Sequence, residues 1–381
     1  MLFIVKNINF TYKNLYGKKD RGSRKMDFIV QNALDKKDIM GIEAGLESQA
    51  TIKVVGSGGC GNNMVHWLYH KGVSGAEIIA MNTDTQHLDA RDADVKILLG
   101  KEITSGLGAG GYPDVGANAA RESANEIKEG LRGTDMLFIC AGLGGGTGTG
   151  SAPEIAKIAR DMGSIVIGTV TMPFKIERAR IEKAEFGLSQ LRQVCDTVIV
   201  VDNNRLVELA GNLPVEKAFA VANELVSTMI KAIVETIALP SLVNLDFADV
   251  KAIMSQGGVA AIGVGESDTE RRVEEAVNKA LMNPLLDVSY KGADGALIHI
   301  TGGPDLTLEE VNTAGELITE NLDQDANVIW GARITDDMKG KIRVMAIVTG
   351  VRSPYILGAL DYKKPSIQAE QVSEDLGIRM I

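Results

Sequence analysis

The residues best able to do chemistry sit in three glycine-dense stretches. In the first, Gly56-Ser57-Gly58-Gly59-Cys60-Gly61 runs into Asn62 and Asn63, and Asp84 follows 23 residues after Gly61. Glycines let backbone N–H groups and a helix N-terminus approach phosphate oxygens without Cβ obstruction. Alone, this G-x-G-x-x-G spacing fits the dinucleotide site of an NAD-dependent oxidoreductase, or simply a tight strand-to-helix turn. The second stretch, Gly144-Gly145-Gly146-Thr147-Gly148-Thr149-Gly150-Ser151, adds a second cradle with two threonines. A dehydrogenase has no need of it, whereas a nucleoside triphosphate, with three charged groups, does. The third, Gly106-Leu107-Gly108-Ala109-Gly110-Gly111, offers a further flexible loop at a strand end. Fifteen of the 42 glycines fall in segments 56–61, 106–116 and 142–150, a clustering that marks loops that touch something. No G-x-x-x-x-G-K-[ST] occurs, which excludes a P-loop NTPase.

Two other features invite chemistry and read as ordinary. His66 and His70 stand i, i+4 on a helix, a spacing able to bind a metal, but no third ligand or H-E-x-x-H pattern accompanies them. Cys60 lies where a helix N-terminus lowers a thiol pKa, yet it has no catalytic partner and reads as a small residue that fits.

The elements that must position these loops follow from periodicity. Apolar strands are expected at 51–56, 77–81, 135–140, 164–171 and 197–201, with helices at 62–71, 118–131, 152–162 and 181–194. That alternation is a doubly wound α/β domain with a parallel sheet. A long helix is expected over 215–239, after Pro214 and closed by Pro240. Its stripe of Val215, Phe219, Ala222, Val226, Ile230, Ile233 and Ile237, widened by Ala218, Val221, Leu225, Met229 and Val234, predicts burial between two bodies. Helices at 246–255, 268–282 and 308–322 and strands at 260–264, 296–300, 328–334 and 342–348 make a smaller C-terminal α+β domain. The expected organisation is an N-terminal extension over 1–50, a nucleotide domain over 51–240 that includes the long helix, a second domain over 241–352, and a linker with a terminal peptide over 353–381.

Composition bounds the function classes. With 40 Lys and Arg against 50 Asp and Glu the net charge is −10, so nucleic acid is not the principal partner. Residues 1–26 differ, carrying seven Lys and Arg against the single acid Asp20. This arm is a disordered appendage, a stretch upstream of a true start at Met26, or a basic anchor for an acidic surface. No apolar run approaches the roughly 20 residues that span a bilayer, and no signal peptide is readable. Three cysteines without a C-x-x-C pair favour a reducing compartment, so a cytoplasmic protein is expected.

GGGTGTGS at 144–151 resembles the tubulin signature. Taken with GSGGCGNN at 56–63, NTD at 82–84, GLGAGG at 106–111 and NLDFADV at 244–250, the chain resembles the FtsZ family of tubulin-like cell-division GTPases, of archaeal type, over about residues 51–351. The resemblance implies a GTPase that assembles head to tail into filaments of a division ring at midcell. It implies GTP and GDP as ligands, with Mg2+ held mainly through the phosphates. Gly58, Gly59, Cys60, Gly61, Asn62 and Asn63, with Gly146, Thr147 and Gly148, would hold the phosphates, and Gly110 of the third loop would also bind the nucleotide. Glu177 and Arg180 would face the ribose, although Glu177-Arg178-Ala179-Arg180 is one residue shorter than the family pattern and the pair also reads as two solvated helix charges. Asn203 and Asn223 would meet the base, with Phe219 one turn earlier either stacking on it or filling core. Many family members carry Asp where Asn223 stands, so guanine selectivity is implied more by family than by the amide.

The glycine loops supply no base to activate water, whereas Asn244, Asp246 and Asp249 place two carboxylates three residues apart on one helix face. About 21 residues of helix separate Asn223 from Asn244, roughly 30 Å at ~1.5 Å per residue. These carboxylates are therefore expected to act on the nucleotide of the next subunit in a head-to-tail contact; they also read as a helix cap. The apolar residues of the terminal peptide, 373–381, suit docking into a membrane-adaptor protein, as the resemblance also implies. A GTP-binding scaffold without turnover is the other reading kept beside the oxidoreductase.

Overall fold

The computed structural model describes residues 50–239, 241–243, 245–254, 260–282, 289–320 and 322–351. The expectations for the extension up to residue 49, the tail from 352, the closing Pro240 and Asn244 lie outside the described residues.

Six strands form the first sheet: β1 (Ile52–Ser57), β2 (Ala76–Asn82), β3 (Val95–Leu98), β4 (Met136–Gly142), β5 (Ile165–Met172) and β6 (Thr197–Asp202). They run in the order β3-β2-β1-β4-β5-β6, every pair parallel. A parallel sheet covered on both faces needs apolar residues at consecutive positions rather than alternating ones. β6 is buried throughout and β4 at all positions but its last, Gly142. The helices are α1 (Gly58–Lys71), α2 (Thr85–Asp89), α3 (Lys101–Thr104), α4 (Pro113–Glu122), α5 (Ala124–Gly130), α6 (Thr147–Asp161), α7 (Ala179–Val194) and α8 (Asn203–Ala210). This is the expected doubly wound fold, and strand order reverses between β1 and β4, where such sheets open a ligand crevice.

Three local expectations are corrected. The single helix expected over 118–131 is two, α4 and α5, because Ser123 leaves helical geometry (φ −89°, ψ 20°) and its Oγ accepts the N–H of Gly100 at 2.9 Å. α1 and α6 start at Gly58 and Thr147, inside the glycine runs and not after them. The short elements β3, α2, α3 and α8 have too few residues to show a period in sequence.

α9 (Val215–Ala238) is the long helix, 24 residues or about 36 Å at ~1.5 Å per residue. One side lies on α1, where Trp67 Nε1 donates to Glu224 Oε2 at 2.7 Å, Lys71 pairs with Glu224, and Lys231 Nζ reaches Gly72 O at 2.7 Å. On the other side Thr236 meets Met345 of the second sheet. Within the wide stripe Ala222, Val226, Met229, Ile230, Ile233 and Val234 are buried and Leu225 and Ile237 half-buried, but Val215 and Phe219 at its start are exposed.

Beyond α9 come α10 (Phe247–Met254), β7 (Ala260–Ser267), α11 (Arg272–Leu281), β8 (Ala293–Gly302), α12 (Leu308–Thr319), β9 (Leu322–Ile334) and β10 (Ile342–Thr349). The second sheet has the order β7-β10-β8-β9, with β10 antiparallel to β7 and β8, and β8 parallel to β9. Arg272 clamps α11 to α12, donating from Nε to Glu310 Oε1 and from one terminal nitrogen to Asp305 Oδ2, both at 2.7 Å.

Candidate nucleotide site

The first two glycine runs face each other across the switch point. β1 and β4 pair with Ser57 opposite Ala141, so both turns leave the same edge of the sheet. Gly58 holds φ +71°, and a Cβ there would lie 2.7 Å from the backbone nitrogen of Gly148. The start of α1 and the start of α6 therefore touch main chain to main chain. Gly61 permits the second close approach, since a Cβ would fall 2.1 Å from Cys140 O and lift α1 off β4. Side-chain oxygens bind the two runs together: Ser57 Oγ lies 2.6 Å from Ser151 Oγ, and Ser151 Oγ donates to Thr147 O at 2.7 Å. Two helix N-termini aimed into one crevice concentrate unpaired N–H groups and positive dipole ends where a polyphosphate would sit. A Cβ on Gly145 would meet nothing within 4 Å, so the space over the second turn is open.

Asn62 and Asn63 serve this loop differently. Asn62 is fully buried, and its amide, oriented to satisfy both acceptors, donates to Gly56 O at 2.7 Å and Met81 O at 3.2 Å. It pins the loop from beneath. Asn63 Oδ1 accepts from Arg91 Nε at 2.7 Å.

Several further residues line the crevice. Thr83 Oγ1 lies 2.6 Å from Thr147 Oγ1, joining the NTD segment to the signature. His87 packs over Gly59 and lies 3.3 Å from the Asn82 amide, and burial holds its pKa below the ordinary value. Asp84, the acid spaced for an NAD ribose, caps α2 instead by accepting the N–H of His87 at 2.9 Å. The third loop closes a further side. Ala109 and Tyr112 leave no room for a Cβ on Gly146, and Lys183 Nζ donates to Gly111 O at 2.7 Å while standing 5.5 Å from the Tyr112 ring centre. Gly110 lies in this loop with φ +59°. The paired Thr83 and Thr147 hydroxyls are hard oxygen donors of the kind that Mg2+ takes.

Glu177 and Arg180 lie beside the second turn, where a Cβ on Gly144 would meet Arg180 O at 2.9 Å. They pair with each other at 2.7 Å, and Glu177 Oε1 also accepts the N–H of Phe174 at 3.0 Å. Between them Arg178 takes φ +37°, an uncommon backbone state for a residue with a side chain, within the segment that is short against the family pattern. Phe174 meets Phe219 edge-on with ring centres 6.0 Å apart, which brings the start of α9 to the same edge of the sheet. Phe219 is 43% exposed, so it is not plain core. Asn223, one turn on, is half-buried, as is Asn203 at the end of β6; the neighbouring Asn204 accepts the N–H of Lys175 at 3.0 Å.

The carboxylates are elsewhere. The last residue of α9, Ala238, packs on Gly75, just before β2 and hence at the opposite end of the strands from the glycine turns. Asp246 and Asp249 follow at the start of α10, Asp246 exposed and Asp249 half-buried. Asp246 Oδ1 accepts the N–H of Asp249 at 2.7 Å, so the capping role is real for Asp246.

Cys60 contributes surface to the crevice, and the atoms crowding its sulfur, with the charge of Glu177, push the thiol up against the opposing hydrogen bond to Thr171. The shift is opposite in direction to the lowering that activates a nucleophilic thiol.

Comparison with known proteins places the chain. Residues 51–211 match the GTPase domain of the Tubulin/FtsZ family and residues 258–352 match the FtsZ family C-terminal domain. The chain is similar to cell division protein FtsZ 2 of Methanocaldococcus jannaschii, 55% identical over 90% of this chain and 92% of the relative. It is similar to cell division protein FtsZ 2 of Haloferax volcanii, 53% identical over 84% and 81%. Among solved structures, an empty FtsZ dimer of M. jannaschii superposes with a TM-score of 0.74 at 45% identity, covering 87% of this chain and 93% of that one. These matches support the GTPase reading and leave the oxidoreductase without support.

Proposed function

The chain belongs to the Tubulin/FtsZ family, a GTPase of the FtsZ cell-division type that binds GTP and GDP, and we propose that it hydrolyses GTP only where two subunits meet head to tail. The observation that carries this reading is the separation along α9: the glycine turns and Phe219 lie at one end, and Ala238 with the Asp246 and Asp249 helix beyond it lies at the other. A molecule's carboxylates are then too far from its own nucleotide, while a heterologous contact brings one subunit's α10 to the next subunit's crevice and propagates an open filament. Self-association accords with the dimer described for the M. jannaschii relative.

In this reading the backbone from Gly58 to Gly61 and from Gly146 to Gly148 holds the phosphates, with Gly110 closing the third side. Asn62 pins the first turn and Asn63 limits its edge. Glu177 and Arg180 face the ribose, and Phe219 stacks on a base held by Asn203 and Asn223. The Thr83 and Thr147 hydroxyls would help hold a Mg2+ bound mainly through the phosphates, which would supply positive charge to offset theirs. Asp246 and Asp249, with Asn244, orient and polarise the attacking water.

The domain limits follow the same division: an extension to residue 50, a nucleotide domain over 51–240, an assembly domain over 241–352, and a linker with the adaptor-binding peptide 373–381. We place the protein in the cytoplasm at the midcell division site, reached through that peptide; no helix among the described residues is long and apolar enough to cross a membrane. Light scattering of the full-length protein with GTP, with GDP and without nucleotide, with phosphate release in parallel, tests the reading. Scattering that rises only with GTP and phosphate release that follows it are expected. Assembly without turnover would indicate a scaffold, and turnover without assembly would remove the shared site.

A further inference from the structure

The structure supplies what the sequence lacks around His66 and His70, a third ligand from another element. Asp92, in the turn between α2 and β3, brings Oδ2 to 2.9 Å from His70 Nε2 and 3.6 Å from His66 Nδ1. One ligand atom from each of the three residues lies within 4.8 Å of the others, and no other group of three His, Cys, Asp or Glu among the described residues does so. Around a tetrahedral ion with bonds of about 2.0 Å, donor atoms stand roughly 3.3 Å apart, a value that the two measured separations bracket. The imidazole rings are nearly perpendicular, at 82°, with centres 4.6 Å apart.

We propose that His66, His70 and Asp92 form a surface site for a borderline divalent transition cation of the Zn2+ class, distinct from any ion held through the nucleotide. Two imidazoles and one carboxylate form a ligand set that suits such an ion and not Mg2+, which takes oxygen donors. His70 and Asp92 are more than half exposed and His66 partly so, which leaves an entry path and open coordination positions for water. Binding replaces two existing contacts: the His70–Asp92 pairing, and the N–H of Asp92 that His66 Nδ1 accepts at 3.0 Å. Arg91 and Lys96 face the site and oppose a cation, but Arg91 donates to Asn63 Oδ1 and Lys96 to Asp89 O, so neither charge is paired to Asp92. The ion would clamp α1 to the α2–β3 turn. That turn also carries Arg91, whose partner Asn63 belongs to the first glycine run, so the clamp sits one residue from a contact of the nucleotide loop.

The test is Zn2+ titration of metal-free, nucleotide-free full-length protein by calorimetry, repeated with Co2+ and read by its ligand-field absorption. One equivalent bound is expected, with His70→Ala and Asp92→Asn each weakening it at least about tenfold, the pair His66→Ala with His70→Ala abolishing it, and Cys60→Ser leaving it unchanged. Mg2+ should not compete. Circular dichroism of each variant establishes that the fold is kept. Equal Zn2+ binding by the double histidine variant, or none by the unaltered protein, overturns the proposal.

Discussion

Asp246 accepts a hydrogen bond from the backbone of Asp249 at 2.7 Å, so the first of the two candidate catalytic acids is also the cap of its helix. The two roles separate by substitution. Asp246→Asn keeps a capping oxygen and should leave urea stability unchanged, because Asn caps as well as Asp, whereas Asp246→Ala should lose about 1 kcal/mol. If the carboxylate polarises water, both variants should lose turnover, on the order of a hundredfold or more. Unimpaired GTP hydrolysis by Asp246→Asn would leave the residue with its cap alone.

Thr147 opens α6 with its hydroxyl 2.6 Å from that of Thr83, inside the crevice and not in the core. Thr147→Arg should therefore leave unfolding almost unchanged while its long side chain occupies the space over the second turn. GTP affinity by calorimetry should fall by at least a hundredfold. Unchanged GTP binding in the folded variant would refute the phosphate assignment.

Both glycine runs, the parallel sheet and α9 were legible in the sequence because each has a strong local signature: clustered Gly, continuous apolar strands, and a stripe over about six turns. The helix starts were not, because glycine reads as loop. In the structure the same residues form the first turns of α1 and α6, where their close approach to Gly148 N and Cys140 O is what a Cβ forbids. Asp92 was invisible as a partner of His66, since a contact across 26 residues between a helix and a turn has no period. Ser123 looks like one more polar helix residue until Gly100 claims its hydroxyl. The distant placement of the carboxylates was legible from helix length, but their capping bond depends on a rotamer that no spacing specifies.

His299 lies buried in β8 with Nε2 3.5 Å from Ser241 Oγ, and burial, aided by the charge of Arg333, lowers its pKa from 6.5 to about 4. A histidine depressed in the fold binds fewer protons than it does unfolded between those two values, so stability rises with pH across that window and is lost as pH falls. The loss should approach about 3 kcal/mol near pH 4 and level off below it. Urea unfolding at pH 7, 5.5 and 4.5 should show a steeper acid loss in the unaltered protein than in His299→Gln. Parallel profiles would show that His299 has the same pKa in the fold as in the unfolded chain.

The terminal peptide separates attachment from assembly. A chain ending after Arg352 retains both sheets and both ends of the proposed subunit contact, so it should scatter light with GTP as the full chain does. In cells it should lose its position at the division site. Normal localisation of the truncated chain would assign that task to another surface, the basic N-terminal arm among them.

Shared catalysis makes a stronger demand than any single variant. Asp249→Ala keeps both glycine turns and should bind GTP and assemble, yet hydrolyse little; Thr147→Arg should neither bind GTP nor turn it over, while keeping α10 intact. At a head-to-tail contact the crevice of Asp249→Ala can face the α10 of Thr147→Arg, which restores one complete site from two incomplete molecules. Mixing them should raise phosphate release above the sum of the two alone, by at most a fraction of the unaltered rate, because only contacts of that polarity are competent. For the unaltered protein, turnover per molecule should fall on dilution below the assembly threshold. A rate per molecule that stays constant on dilution, together with mixtures no more active than their parts, would mean that each subunit completes its own site and that the separation along α9 is bridged in some other way.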